Sequence, residues 1–482
     1  MLRFLAENYL IILYSITVSF IIYLVIKQRG EPLKTISWLL VIILIPIAGI
    51  ILYFYFGQNY RRQKIFNRKG LSDFERMRDF SHIQMQHLDK HAALLSEKLQ
   101  SKTQIMKLLL NNSKAMLTEN NQLHIYTSGR DAFDIIISDI TNAKSHIHLE
   151  YYIIEEDKIG NQIRDLLVSK AKEGVEVRLI YDDLGSWGLG KKFLQPLIAA
   201  GVEVHAFLPV RFPYFTNKIN YRNHRKIIVV DGNIGHVGGM NIADRYIEGV
   251  AELGSWKDMQ LRIEGEAAHS LQTIFLIDWY FVTNQAINDD RFFPPCQINE
   301  KKIVQITASG PDSDWASIMQ AYFSAIVTAT DHIYIATPYF IPNESILTAL
   351  KTAALSGIDV RIMLPYKSDS HVVYRSTLSF VADLLEAGVK IYFYAKGFNH
   401  SKLMLVDGVV ASIGTANMDI RSFDQNFEVN AIIYDEELTN RLEAHYLKDL
   451  QSCVVYSIEE WSNRPWINAA KESLARLLSP LF

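Results

Sequence analysis

One pattern occurs twice in the chain, and no other feature constrains its folding as much. Asn223-His224-Arg225-Lys226 opens the apolar run Ile227–Val230, Asp231-Gly232 closes it, and Gly238-Gly239-Met240-Asn241 follows. Asn399-His400-Ser401-Lys402 opens Leu403–Val406, Asp407-Gly408 closes it, and Gly414-Thr415-Ala416-Asn417 follows. The offset between the two is a constant 176 residues. Upstream, Thr127-Ser128-Gly129 returns as Ala308-Ser309-Gly310 and Gly174-Val-Glu-Val-Arg178 as Gly357-Ile-Asp-Val-Arg361, at offsets of 181 and 183. A period near 180 residues is domain-sized, too long for a solenoid repeat. Short β-branched runs alternate with helical stretches such as Ile163–Lys172 and Ile346–Leu355. That alternation predicts two α/β units, each a largely buried sheet with crossover helices.

The chemistry sits at the end of each copy. Residues i and i+2 share a face of a strand, so His224 points with Lys226 and His400 with Lys402. A neutral imidazole can attack phosphorus while a second protonates the departing alkoxide. Two lysines can hold phosphate oxygens and oppose charge that builds in the transition state, and Asn241 and Asn417 can add hydrogen bonds. Each histidine needs an acceptor for its other ring nitrogen. Asp258 follows His224 by 34 residues and Glu428 follows His400 by 28, each opening an apolar strand of its own copy. They are the expected orienters, each for the histidine of its own copy. Asp231 and Asp407 are read as turn residues that organise the lysines. His236 and His371 are read as core or loop histidines.

The N-terminus has a different character. Tyr9–Ile26 carries no charge, and neither does Ile36–Phe56, which Pro46 and Gly49 interrupt. Spans of ~20 apolar residues predict a transmembrane hairpin. Three basic residues lie in its turn, against Arg3 and five basic residues from Arg61 to Lys69. That bias places both ends, and the catalytic units, in the cytoplasm. Residues 1–70 carry a net +7, which leaves −10 on the remainder; an acidic body argues against a nucleic-acid partner. Two cysteines exclude a disulfide framework. No Gly-x4-Gly-Lys loop, HExxH or clustered carboxylate motif calls for a nucleotide or a metal, and no cofactor is expected. The expected divisions are a hairpin at 1–60, a helical juxtamembrane linker at 61–120, and the two units at 121–295 and 296–482. A terminal stripe of Ala470, Leu474, Leu477, Leu478 and Leu481 predicts a helix packed on the body, with lipid contact as the alternative. The aromatic stretch Phe207–Phe215 is a candidate for the membrane-facing mouth of the site, with insertion into a core as the equal alternative.

His-x-Lys-x4-Asp, twice in one chain and followed by Gly-rich Asn segments, resembles the phospholipase D superfamily. The hairpin ending Phe54-Tyr-Phe-Gly57-Gln-Asn-Tyr60, the segments around both motifs, Asn417-Met-Asp-Ile-Arg-Ser422 and Leu478-Ser-Pro-Leu-Phe482 are similar to bacterial cardiolipin synthases. The likeness covers nearly the whole chain. It implies transfer of a phosphatidyl group between two phosphatidylglycerol molecules, giving cardiolipin and glycerol through a phosphatidyl-histidine, with His224 as nucleophile. Such an exchange of one phosphodiester for another needs no nucleotide energy, and the partners it implies are phosphatidylglycerol and the bilayer. The motifs alone leave open simple hydrolysis by a membrane phospholipase D. An inactive scaffold on the same fold is also open, though both copies keep His, Lys and Asn.

Overall fold

Two mixed β-sheets, one from each repeat, set the architecture of the computed structural model, which describes residues 9–27, 32–53, 84–85, 88, 96–210 and 220–479. The first sheet has seven strands, in the order Asn121–Tyr126, Gln260–Gly265, Ile234–Gly238, Lys226–Val230, His146–Tyr151, Glu176–Asp182 and Glu203–Phe207. The second repeats this order from Ile303–Ser309 through Glu428–Tyr434, Val410–Gly414, Leu403–Val406, His332–Ala336 and Asp359–Pro365 to Lys390–Tyr394. It gains Leu117–Thr118 and Cys453–Val455 at its edges, making nine strands.

Crossover helices join the parallel strands of each sheet. Lys158–Lys172 and Lys191–Ala199 connect the last three strands of the first sheet, and Glu344–Leu355 is a counterpart in the second. Each motif strand, Lys226–Val230 or Leu403–Val406, is antiparallel to both neighbours. The helix preceding Glu176–Asp182 and that preceding Asp359–Pro365 stop at Gly174 and Gly357, with φ of +91° and +92°, a conformation that disfavours any residue with a Cβ.

The sheets pack face to face. Ile227, Val229, Val237 and Leu261 of the first unit share one core with Leu403, Leu405, Ile413 and Val429 of the second. The alternate residues Ile228 and Val230, and Met404 and Val406, face the helices of their own unit. Both faces of each motif strand are therefore buried, which is why the runs are apolar throughout rather than alternating.

Much of the expected 61–120 linker lies outside the described residues, but its last part is built into the second unit. Helix Thr103–Asn112 buries Ile105, Met106, Leu109 and Leu110, and Leu117–Thr118 pairs with Ile303–Ser309. Lys102, buried, places Nζ 2.6 Å from Asp407 Oδ2. Asp231, the equivalent residue, receives backbone N–H groups of Lys144, Ser145 and His146. Burial would raise the Asp407 carboxyl, yet Lys102 and the N–H groups of Asp331 and Thr330 hold it below the usual range. Lys102→Met breaks a buried pair and is expected to lower unfolding stability by about 3 kcal/mol. A denaturant midpoint unchanged by that substitution would contradict this.

At the N-terminus, helices Tyr9–Lys27 and Pro32–Leu44 pack together, with Phe20 and Trp38 both edge-on to Tyr53. The second expected span is not one helix. It breaks at Ile45, and Pro46–Leu52 forms a separate seven-residue helix, because Pro46 has no N–H to continue the ladder. The first helix has 19 residues, about 28 Å at 1.5 Å per residue against ~30 Å of hydrocarbon. Among the described residues, no helix is long and apolar enough to cross a membrane. Lys27 closes the first helix; the basic residues Arg3, Arg29 and Arg61–Lys69 lie outside the described residues.

Candidate active site

The two histidines are brought to the seam between the units by matching backbone contacts. His224 N donates to Phe427 O at 2.9 Å, and His400 N donates to Lys257 O at 2.7 Å. Gly397–Asn399 pairs in parallel with Ser255–Lys257, while Asn223 bridges to Phe427. Each motif thus enters its strand alongside the acid-bearing segment of the other unit.

The orienting pairs are consequently crossed. His224 Nδ1 lies 2.9 Å from Glu428 Oε2, and His400 Nδ1 lies 2.7 Å from Asp258 Oδ2. The expected pairing within each copy is corrected: both acids are orienters, each for the histidine of the other repeat. With Nδ1 held by a carboxylate, Nε2 is the nitrogen left for chemistry. The surroundings differ. Thr415 Oγ1 donates to Glu428 Oε2 at 2.5 Å and Asn426 Nδ2 to Oε1 at 3.2 Å. The counterpart of Thr415 is Gly239, where a Cβ would stand 2.2 Å from Asp258 Oδ1.

The lysines keep the expected company. His224 precedes the regular strand, which begins at Lys226, yet Lys226 Nζ donates to His224 O at 2.8 Å. Lys402 Nζ lies 2.9 Å from His400 Nδ1 and 2.5 Å from His400 O. Burial, then the positive charges of Lys226, Lys402, His400 and Arg421, hold His224 well below the ordinary imidazole range. Burial and Lys402 bring His400 down to about 4. Burial lowers Lys226 to about 7 despite Glu428, and raises Glu428 to about 7 despite Lys226. At neutral pH both imidazoles are unprotonated, the state a nucleophile requires.

Asp231 and Asp407 are not with them. Seven residues of near-extended chain at ~3.3 Å each put them on the order of 20 Å from the histidines. There they adopt φ of +51° and +54° and hold the N–H groups of the neighbouring strand starts. They do not organise the lysines; they anchor the far ends of the motif strands. Asn241 is engaged locally, accepting from Ile153 N and donating to Tyr246 Oη. The Asn417 side-chain oxygen is buried with no hydrogen-bond partner among the described residues. Arg225, next to His224 in the chain, pairs with Asp278 in the core. His236 is a core histidine bound to Asp139, and His371 is exposed. Phe207 is buried edge-on to Phe427, and residues 211–215 of the aromatic stretch lie outside the described residues.

Several neighbours escaped sequence reasoning. The Tyr152 ring stands 4.8 Å from that of His224, and Trp256 and Tyr339 stand 5.4 and 6.2 Å from that of His400. Arg421 adds positive charge toward His224. No spacing rule marks them, because separate segments of both units deliver them to the seam. Among the described residues no group of three or more His, Cys, Asp or Glu is arranged to hold a metal ion.

The pattern "Cardiolipin synthase, PLD-like domain" matches residues 136–279 and 322–450, and "Phospholipase_D-nuclease N-terminal" matches residues 12–58. A cardiolipin synthase from Halalkalibacterium halodurans is 44% identical over 98% of this chain and 93% of its own length. The major cardiolipin synthase of Bacillus subtilis is 42% identical over 97% of this chain and 98% of its own. Among solved structures, a phosphatidylserine synthase from Haemophilus influenzae aligns with a TM-score of 0.59 and 15% identity, covering 79% of this chain and 99% of that one. That last likeness concerns the fold alone.

Proposed function

The chain belongs to the cardiolipin synthase family of phospholipase D-like enzymes, and from that premise we propose that it converts two phosphatidylglycerol molecules to cardiolipin and glycerol through a phosphatidyl-histidine. The observation that carries this reading is the pair of buried histidines, each with its own lysine and each tied through Nδ1 to a carboxylate of the opposite unit.

In the first step His224 Nε2 attacks phosphorus and the bond to the glycerol oxygen breaks. His400 gives that oxygen a proton. Burial first and Lys402 second keep His400 unprotonated in the free enzyme; the negative charge of the lipid phosphate between Lys226 and Lys402 offsets the lysine's share, and His400 takes the proton it gives from solvent as the lipid binds. In the second step His400, now neutral, takes the proton of a hydroxyl on the second phosphatidylglycerol. That oxygen attacks the same phosphorus and frees His224. Glu428 and Asp258 stabilise each imidazolium as it forms, and the lysines oppose charge on the phosphoryl oxygens. The preference for His224 as nucleophile rests on resemblance, since Arg225 is neutralised by Asp278.

We also propose that the packed helices 9–27 and 32–52 are the membrane anchor. Ile11, Ile16, Leu44 and Ile47 all expose more than half their surface, and the first helix's shortfall of ~2 Å is within what a bilayer absorbs by thinning. The charge bias places residues 61–482 on the cytoplasmic face. A reporter fused after Phe482 and active only outside the cell would reverse that orientation.

Product analysis with phosphatidylglycerol as sole lipid tests the reaction. Cardiolipin and glycerol in equal amounts are expected, and added glycerol should drive the reaction backwards. Phosphatidic acid as the main product would mean hydrolysis. The pH profile is a second test. As pH rises through about 7, Lys226 in the free enzyme loses its proton, so kcat/KM should fall on the alkaline side. Bound phosphate retains that proton, so the fall in kcat should come at higher pH. A kcat/KM constant to pH 9 would contradict the role given to Lys226.

A further inference from the structure

The C-terminal helix Trp466–Leu478 is amphipathic, and it is turned the opposite way from the predicted packing. A helix advances about 100° per residue, so Trp466, Ile467, Ala470, Leu474 and Leu477 fall within one ~100° arc, while Asn468, Glu472, Ala475 and Arg476 lie opposite. The apolar arc faces outward: Trp466 is 77% exposed, Leu474 64%, Leu477 63% and Ile467 44%. The polar arc holds the helix to the body. Glu472, 4% exposed, receives both terminal guanidinium nitrogens of Arg464 at 2.9 and 3.1 Å. Arg476 pairs with Asp383 at 2.9 Å, donates to Ser379 O and lies over the Phe380 ring. Arg375 donates to Asn468. The side chain of Leu478 and the residues from 480 onward are outside the description.

Ion pairs within and apolar side chains without is the orientation of a helix whose outer medium is not water. The surface it belongs to runs to the active site. The helix lies along His371–Leu378, where Val372 is also exposed. The segment just before that helix carries Asp369, whose carboxylate accepts the Tyr339 hydroxyl at 2.7 Å. The Tyr339 ring in turn stands beside that of His400. A phosphatidyl donor keeps its acyl chains in the bilayer, so the mouth near His400 must meet a lipid surface.

We propose that Trp466–Leu478 is an interfacial helix that lies on the bilayer, with Trp466, Ile467, Ala470, Leu474 and Leu477 in the acyl boundary, seating the His400 side of the site on the membrane. This rests on the lipid-transfer reading above for its occupant. An indole at the end of such a face suits the headgroup region, where aromatic side chains concentrate.

The test uses the full chain reconstituted in phosphatidylglycerol vesicles. Tryptophan quenching by brominated phosphatidylglycerol is compared between the native chain and Trp466→Phe, so that the difference reports Trp466 alone. Trp466 should be quenched. Leu474→Glu combined with Leu477→Glu should raise KM for vesicle lipid at least tenfold, while kcat/KM for a short-chain, monomeric phosphatidylglycerol stays unchanged. An unquenched Trp466 with unchanged KM overturns the proposal. So does an unquenched Trp466 in a native dimer that the double variant dissociates, which would make the cover a second copy of the chain. If the native enzyme forms no cardiolipin from either lipid, the functional reading fails, and the quenching difference still decides the helix.

Discussion

His224→Ala and His400→Ala should each reduce cardiolipin formation by a factor on the order of 10⁴ or more, because the two imidazoles act on one phosphorus in sequence and neither can do the other's part. Without His224 no nitrogen reaches the phosphorus. Without His400 the alkoxide leaves unprotonated and the second lipid keeps its proton. The effects should be far from additive: the double variant should be little worse than either single one, as for groups that act as a unit. Quenching the native enzyme with labelled lipid should place the label on His224. Label on His400 alone would exchange the two roles, and net inversion at phosphorus with no adduct would remove the covalent step. Folding should survive either substitution. The rings sit at the seam rather than in the shared apolar core of Ile227, Val229, Leu403 and Leu405, and the strands are anchored at their far ends by Asp231 and Asp407.

The repeat made the two units and their matching motif strands legible, because a strand buried on both faces must read as Ile227–Val230 and Leu403–Val406 do; the order of the strands in each sheet came only with the structure. The identities of the histidines, lysines and orienting acids were legible for the same reason, as matched positions at matched offsets. Their partnership was not. Reading along one copy joins His224 to Asp258, whereas the pairing of Asn223 with Phe427 and of Gly397–Asn399 with Ser255–Lys257 exchanges the acids. Nothing in either repeat alone encodes a contact that exists only when the two meet. Asp231 and Asp407 misled through proximity in sequence: seven extended residues carry them to the other end of the strand. The C-terminal stripe misled in another way. Periodicity identifies an apolar face, but the direction it turns is set by Arg464, Arg375 and Asp383, which sequence does not place beside Glu472, Asn468 and Arg476.

Crossing the acids gives them separable chemistry. Asp258→Asn should disable His400, and Glu428→Gln should disable His224, each slowing transfer by a factor on the order of 10²–10⁴, the range for losing the carboxylate that fixes a catalytic imidazole. A phosphatidyl ester of p-nitrophenol distinguishes them, since that leaving group departs without a proton. Asp258→Asn should therefore regain a near-normal burst of nitrophenolate, one equivalent per site, and then stall, because His400 is still needed to activate the second lipid. Glu428→Gln should show no such rescue, because attack by His224 is impaired whatever leaves. Pairing by sequence order predicts the reverse: rescue of Glu428→Gln and none of Asp258→Asn. The 2.7 Å contact of His400 with Asp258 and the 2.9 Å contact of His224 with Glu428 commit the enzyme to the first outcome. Because each acid comes from the other unit, neither repeat holds a complete histidine–carboxylate pair, and the two units should be inactive apart and competent only when their sheets are docked.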